Sequence, residues 1–280
     1  MAGKQLRIAT CQFAETFEPR RNAALMRRYV ARAKALRADV VHFHECALSG
    51  YCGRLNSPDY DWRILREAAR SVCDEARRWR IWVILPSARP LTRPHKPHNS
   101  LYAVAPDGTI VDRYDKRFLM PHEMDYFTPG DHWATFTING ICCGLLICFD
   151  LRFPELYREL VKRGVKVVFQ SSFVAGFDGP GIHGQIMPAT LQANAANNGL
   201  WISAPNSSRR YSRWGSLFIR PDGSVAGRLP RNRAGLMVNT VDPAREHYDP
   251  ISPARELVMR GQLHNGRCVR DARSRDRHSL

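Results

Sequence analysis

The chain has 280 residues, 44% of them hydrophobic and 10% aromatic, and a formal net charge of +16. This length and apolar content suffice to bury a substantial core and exclude disorder of the whole chain. No apolar run approaches the roughly 20 residues of a membrane helix, and MAGKQLRIATCQF enters a strand-like pattern without signal-peptide architecture, so a soluble, cytoplasmic protein is expected.

From the N-terminus, strand and helix patterns alternate. LRIATCQF (6–13) reads as a strand, Glu18 to Leu36 as a helix with arginines on its outer face, and DVVHFHE (39–45) as the next strand. The helical segment Tyr60 to Trp79 and the strand IWVILPSA (81–88) repeat the pattern. NSLYAVAPDGTIVDRYDK then carries a Pro-Asp-Gly turn between two extended segments, and WATFTINGICCGLLICFD carries Asn-Gly between two more. A helix from Pro154 to about Arg163, strand VKVVFQSSF (165–173), a helix from about Gln185 to Asn198 and strand LWISAPNS (200–207) follow. GSLFIRPDGSVAGRLP and AGLMVNTVD are expected to pair again through Pro-Asp-Gly. The alternation predicts an α/β protein whose sheets are not purely parallel and whose central strands are covered on both faces. No long linker or repeat interrupts it, so one domain over 1–264 with a basic tail over 265–280 is expected.

The eight cysteines sit mostly inside apolar runs (Cys11, Cys142, Cys143, Cys148) and lack the spacing of a disulfide framework. They read as reduced thiols, and without a CxxC pair no structural zinc site is expected. The basic residues are dispersed and mixed with acids; even the densest patch, RCVRDARSRDRHSL, contains Asp271 and Asp276. A solvated basic surface, suited to acidic small substrates, is therefore expected before a nucleic-acid site.

Four features bear on chemistry. Glu45 ends the strand DVVHFHE, where an acid is usually solvated, but it follows His42 and His44, which share one strand face. Such a pair can begin a metal site in a hydrolase, yet the later strand ends VVFQ, LWISA and LMVN supply no further ligand. Lys116 and Glu123 in YDKRFLMPHE read alone as an exposed ion pair. GPGIHG, from Gly179 to Gly184, matches GxGxxG, but the acid that a dinucleotide site wants about twenty residues on is missing, so a flexible loop near a pocket is the reading. Neither GxSxG nor HExxH occurs.

Cys148 is the sharpest feature. Its neighbours Cys142 and Cys143 read as inert apolar thiols, whereas Cys148 ends its strand just ahead of Phe153-Pro154-Glu155, a helix start. The positive field at a helix N-terminus would lower the thiol pKa there.

Together, HECALSGY, YDKRFLMPHE and CFDLRFPELYR, in that order, resemble the nitrilase, or carbon–nitrogen hydrolase, superfamily. The resemblance runs from RIATCQF to about Asp242. It implies a four-layer α-β-β-α sandwich, a Glu45–Lys116–Cys148 triad with Glu123 as accessory acid, and subunits pairing through the helices after the Lys and Cys motifs into a homodimer or larger homo-oligomer. No cofactor, metal or membrane is implied. CFDLRFPE is similar to the CYDLRFPE form of amidase members, with Phe149 in place of the usual Tyr, whereas true nitrilases tend to follow the Cys with Trp-Glu.

The implied reaction is cleavage of a small linear amide, omega-amidase-like where the substrate bears a carboxylate, through a Cys148 thioester with release of ammonia. Glu45 would act as base, and Lys116 with the backbone N–H of Phe149 would receive the oxyanion. Arg152 would pair with a substrate carboxylate. N-carbamoyl substrates remain open because those hydrolases also carry Arg near this position. A nitrilase, a metal hydrolase using His42 and His44 and a nucleic-acid-binding protein are the competing classes.

Overall fold

A computed structural model describes residues 5–278 except 54, 58, 59, 177, 179 and 180. Gly179 and Pro180 of the GPGIHG motif therefore lie outside the described residues.

Twelve strands form two six-stranded mixed sheets among the described residues. In the first, β1 (Leu6–Gln12), β2 (Val40–His42) and β3 (Trp82–Arg89) run parallel. The antiparallel hairpin of β4 (His98–Val104) and β5 (Ile110–Asp115) extends one edge. In the second, β7 (Ile141–Ile147), β8 (Val167–Ser171) and β9 (Trp201–Ala204) are parallel. This core is flanked by β6 (Thr135–Ile138) on one side and β10 (Leu217–Ile219) with β11 (Val225–Arg228) on the other.

The turn chemistry acts as the sequence predicts. Asn139 (φ 52°) and Gly140 (φ 81°) both take the left-handed conformation that a two-residue hairpin turn requires. One pairing differs from expectation. β10 and β11 do form the Pro-Asp-Gly hairpin, but β12 (Gly235–Val241) crosses to the other sheet and pairs antiparallel with β1, from Leu6 opposite Val241 to Gln12 opposite Gly235. Turn signals specify neighbours along the chain, and no turn joins β12 to β1.

Helices α1 (Pro19–Ala35) and α2 (Trp62–Trp79) cover the first sheet, and α3 (Pro154–Lys162) and α4 (His183–Asn198) cover the second, giving the α-β-β-α sandwich. The strand period explains the layering. Leu6 and Ile8 of β1 face the inter-sheet core, while Ala9 and Cys11 pack with Met26, Val30 and Ala33 of α1. α1 starts with Pro19 at its first position, and Asp61 caps α2 by accepting from the backbone N–H groups of Arg63 (2.9 Å) and Ile64 (3.4 Å). The outer face of α1 exposes Arg20, Arg21, Arg27, Arg28, Arg32 and Lys34, with no acid within the helix.

Two short helices, α5 (Ser252–Met259) and α6 (Ala272–Arg275), follow β12 and bury no residue. Among the described residues, no helix is long and apolar enough to cross a membrane.

A buried polar seam links the two sheets. His42 of β2 bonds through Nδ1 to the Ser203 hydroxyl of β9 and through Nε2 to the Ser171 hydroxyl of β8, each at 2.9 Å. Thr10 of β1 reaches the same Ser203 hydroxyl at 2.8 Å. Burial pushes His42 well below the usual imidazole range, so it is the neutral form that joins the layers.

Candidate active site

The candidate side chains gather where strands of both sheets end. β2 stops at His42, and the turn after it carries Glu45 inward with its backbone N–H donating to Ser172 O, just beyond β8, at 3.3 Å. Cys46 takes φ 53°, which lets the chain turn sharply after the acid. The β4–β5 hairpin delivers Lys116 and Asn99 together, joined by Lys116 N–H to Asn99 O at 2.9 Å. Gly130 must be glycine here: a Cβ would lie 2.4 Å from Asp115 Cβ, and its N–H holds Lys116 O at 2.9 Å. Glu123 sits in the 3-10 turn Pro121–Asp125.

Lys116 is fully buried between two fully buried carboxylates. Its Nζ donates to Glu45 Oε1 at 2.8 Å and to both oxygens of Glu123 at 2.6 and 2.8 Å. Burial opposes the ammonium, but the two acids outweigh it and raise the Lys116 pKa well above its ordinary value. The exposed-pair reading of Lys116 and Glu123 is thus replaced by a buried cluster, where an unpaired lysine would be very costly. Asn99 Nδ2 also donates to Glu45 Oε1, at 2.7 Å.

The second carboxylate oxygen of Glu45 has no regular hydrogen-bond partner among the described residues, although the Cys148 thiol is near enough to act on Glu45 as a weak donor. Burial raises the Glu45 carboxyl to about 7; Lys116 opposes the shift and Glu123 adds to it. A carboxylate poised near neutrality beside a thiol has the properties of a general base.

Cys148 is buried and has φ 42°, a left-handed conformation that costs a residue with a side chain about 1–3 kcal/mol. Its surroundings impose that turn. Asp150 accepts from Ile147 N–H at 3.0 Å, Phe118 N–H at 2.9 Å and the Tyr114 hydroxyl at 2.8 Å. Gln170 of β8, itself receiving the Tyr157 hydroxyl, donates to Cys148 O at 3.3 Å, and Asn194 of α4 donates to Leu151 O at 2.9 Å. The thiol faces Phe173 O at 3.9 Å.

The expected thiol field is not what this geometry provides. α3 begins only at Pro154, and Cys148 instead heads the separate 3-10 turn Cys148–Arg152. Burial, together with repulsion from Glu45, pushes the thiol pKa well above its usual value, despite Lys116. At rest the thiol is therefore neutral, and a neutral thiol needs an adjacent base before it can attack. Phe149 follows at the turn, half-buried, with its ring edge-on to Phe153 at 5.5 Å. Arg152 ends the turn exposed, with no hydrogen bond or ion pair among the described residues.

The two histidines do not meet as metal ligands. Both His42 nitrogens are engaged by serines, and His44 bonds through Nε2 to buried Glu15 at 2.9 Å, which also accepts from Ser207. Among the described residues no group of three His, Cys, Asp or Glu is arranged to hold a metal.

A buried thiol thus stands against a buried Glu–Lys–Glu cluster within a four-layer sandwich. The carbon-nitrogen hydrolase family model matches residues 7–247. The chain belongs to this family. Its relatives include an (R)-stereoselective amidase from Pseudomonas sp., 28% identical over 80% of this chain and 82% of that protein. Human omega-amidase NIT2 is 26% identical over 74% of this chain and 78% of its own length. A crystal structure of an amidase from Nesterenkonia sp., of the nitrilase superfamily, superposes with a TM-score of 0.77 at 23% identity, covering 94% of this chain and 98% of that one. This carbon–nitrogen hydrolase is of the amidase-like branch of the nitrilase superfamily.

Sequence reasoning missed Asn99, Asp150, Tyr114, Gln170 and Tyr51 around the site. Each acts through a fold-dependent contact between separate elements, and no local pattern in one sequence marks it.

Proposed function

We propose that this hydrolase cleaves small linear amides through a Cys148 thioester, with Glu45 as the base and Lys116 and the Phe149 N–H as the oxyanion donors. The observation that carries the reading is the neutral buried thiol beside a carboxyl of pKa about 7, which Lys116 and Asn99 hold by one oxygen only. Glu45 would take the thiol proton as sulfur attacks the carbonyl carbon, pass it to the departing amine so that ammonia leaves, and then activate the water that hydrolyses the thioester. Loss of an oxyanion donor costs about 3 kcal/mol in barrier height. Glu123, bonded through both oxygens to Lys116, would hold that donor in place and meet the substrate amine.

The Nesterenkonia amidase supports the nucleophile: one of its structures carries the acetamide moiety of fluoroacetamide covalently on the active-site cysteine. The test is a screen of 2-oxo acid amides, N-carbamoyl amino acids, aliphatic amides and nitriles, with intact-mass detection of an acyl adduct. Amide turnover with an adduct confined to Cys148 is expected; turnover without an adduct at that thiol would overturn the reading.

The preference for carboxylate-bearing amides rests on Arg152, whose exposed guanidinium is uncommitted among the described residues and has a shape suited to a carboxylate. Arg152→Lys should raise KM for acidic amides far more than for neutral ones. Equal effects on both would place Arg152 outside substrate recognition.

A further inference from the structure

Tyr51, the last residue of HECALSGY, touches both sides of the proposed machinery. Its hydroxyl lies 3.0 Å from Glu123 Oε1, the oxygen that also receives Lys116 Nζ at 2.6 Å. Its ring stacks on Phe173, with centroids 4.4 Å apart and planes 14° from parallel, and it is the Phe173 carbonyl that faces the Cys148 thiol. The same hydroxyl lies 3.0 Å from Nε2 of the exposed His122.

Proton counting fixes the direction of these bonds. A phenol has one proton to donate, and both Glu123 oxygens act as acceptors, from Lys116 Nζ and, at Oε2, from the Met120 N–H. Tyr51 therefore donates to Glu123 and accepts from His122 Nε2–H. Burial and the charges of Glu45 and Glu123 push the Tyr51 hydroxyl far above its usual pKa, so it keeps that proton throughout the working range.

We infer that Tyr51 is a positioning residue for catalysis: through Glu123 it fixes where the Lys116 ammonium stands, and through Phe173 it ties that ammonium to the loop facing the nucleophile. Without the phenol, Glu123 keeps its charge but loses a side-chain donor, and the carboxylate can pivot on Lys116. An oxyanion donor misplaced by a fraction of an ångström loses much of its effect, because its advantage lies in being aimed before charge develops. The inference rests on the amidase reading above, since it assigns Tyr51 a task in that reaction.

The experiment is a double-mutant cycle on the full chain with Tyr51→Phe, Glu123→Gln and the pair, read as kcat and KM on the best neutral amide from the screen. Tyr51→Phe keeps the ring stack and removes only the hydroxyl. We expect it to lower kcat about tenfold or more with KM changed less than about twofold, as loss of a hydrogen bond to a charged group predicts. In the Glu123→Gln background the same change should have an effect smaller than about threefold, because the group through which Tyr51 acts has already been altered. Equal factors in both backgrounds, or an unchanged kcat in Tyr51→Phe, would overturn the inference while leaving the amidase reading intact. Absence of amide hydrolysis in the unmodified chain would instead overturn that reading. A fall in melting temperature without loss of kcat per folded molecule assigns Tyr51 to packing alone and also counts against it.

Discussion

His42 and Glu45 stand three residues apart at the end of one strand, both fully buried and both polar, yet their surroundings are opposite in kind. Each nitrogen of His42 meets a serine hydroxyl, and Ser171 passes its own proton on to Phe43 O at 2.8 Å. The imidazole is neutral and saturated, so it has no capacity left for chemistry and serves to register one sheet against the other. Glu45 instead has one oxygen crowded by Lys116 and Asn99, the other oriented to no regular partner among the described residues, and a strained thiol beside it. Burial with complete pairing makes structure, whereas burial that leaves an acceptor oxygen unpaired beside a thiol is the arrangement on which the proposed chemistry rests.

The largest effect comes from emptying the reactive side of this comparison. Cys148→Ala should abolish amide hydrolysis and adduct formation while the far-ultraviolet circular dichroism spectrum stays unchanged. Cys143, in the strand that leads to Cys148 and also buried, is a control: its thiol bonds to Ile141 O at 3.4 Å, and Cys143→Ala should leave kcat/KM within a few-fold. Substantial turnover in the Cys148 variant would mean that the strained thiol is not the nucleophile.

Emptying the saturated side should do the reverse. His42→Ala removes a buried ring and two hydrogen bonds from the seam, at a cost of about 3 kcal/mol in unfolding free energy, measurable by urea titration. The kcat per folded molecule should change only a few-fold, since the imidazole touches neither the thiol nor the Lys116 cluster. A variant of unaltered stability with lost activity would erase the distinction drawn between the two groups.

Much of this was legible in the sequence. Alternating apolar patterns, the Pro-Asp-Gly and Asn-Gly turns and the helix start at Pro154 correspond to elements of the sandwich, and the order Glu, Lys, Cys in three motifs revealed the family. Three things were not legible. The β12–β1 pairing joins opposite ends of the chain, and no turn encodes it. The saturation of His42 depends on Ser171 and Ser203, both more than a hundred residues away. The field at Cys148 was misread because a helix-starting Pro154 sounds close in sequence, whereas a 3-10 turn intervenes and the dominant influences on the thiol are its burial and Glu45.

The last prediction tests the unpaired carboxylate itself, through pH. In the proposed mechanism Glu45 must be ionised to accept the thiol proton, so kcat/KM should rise with pH along a limb centred near 7, the value to which burial lifts this carboxyl. Part of that lift is repulsion from the Glu123 carboxylate, and Lys116 acts against it. Neutralising the repulsion favours the ionised form, so in Glu123→Gln the limb should move to lower pH even as the maximal rate falls. The direction separates two accounts of Glu123. If it served mainly to strengthen the Lys116 charge felt by Glu45, its loss would move the limb to higher pH; a shift downward shows Glu45 responding to a second carboxylate directly, across the shared ammonium.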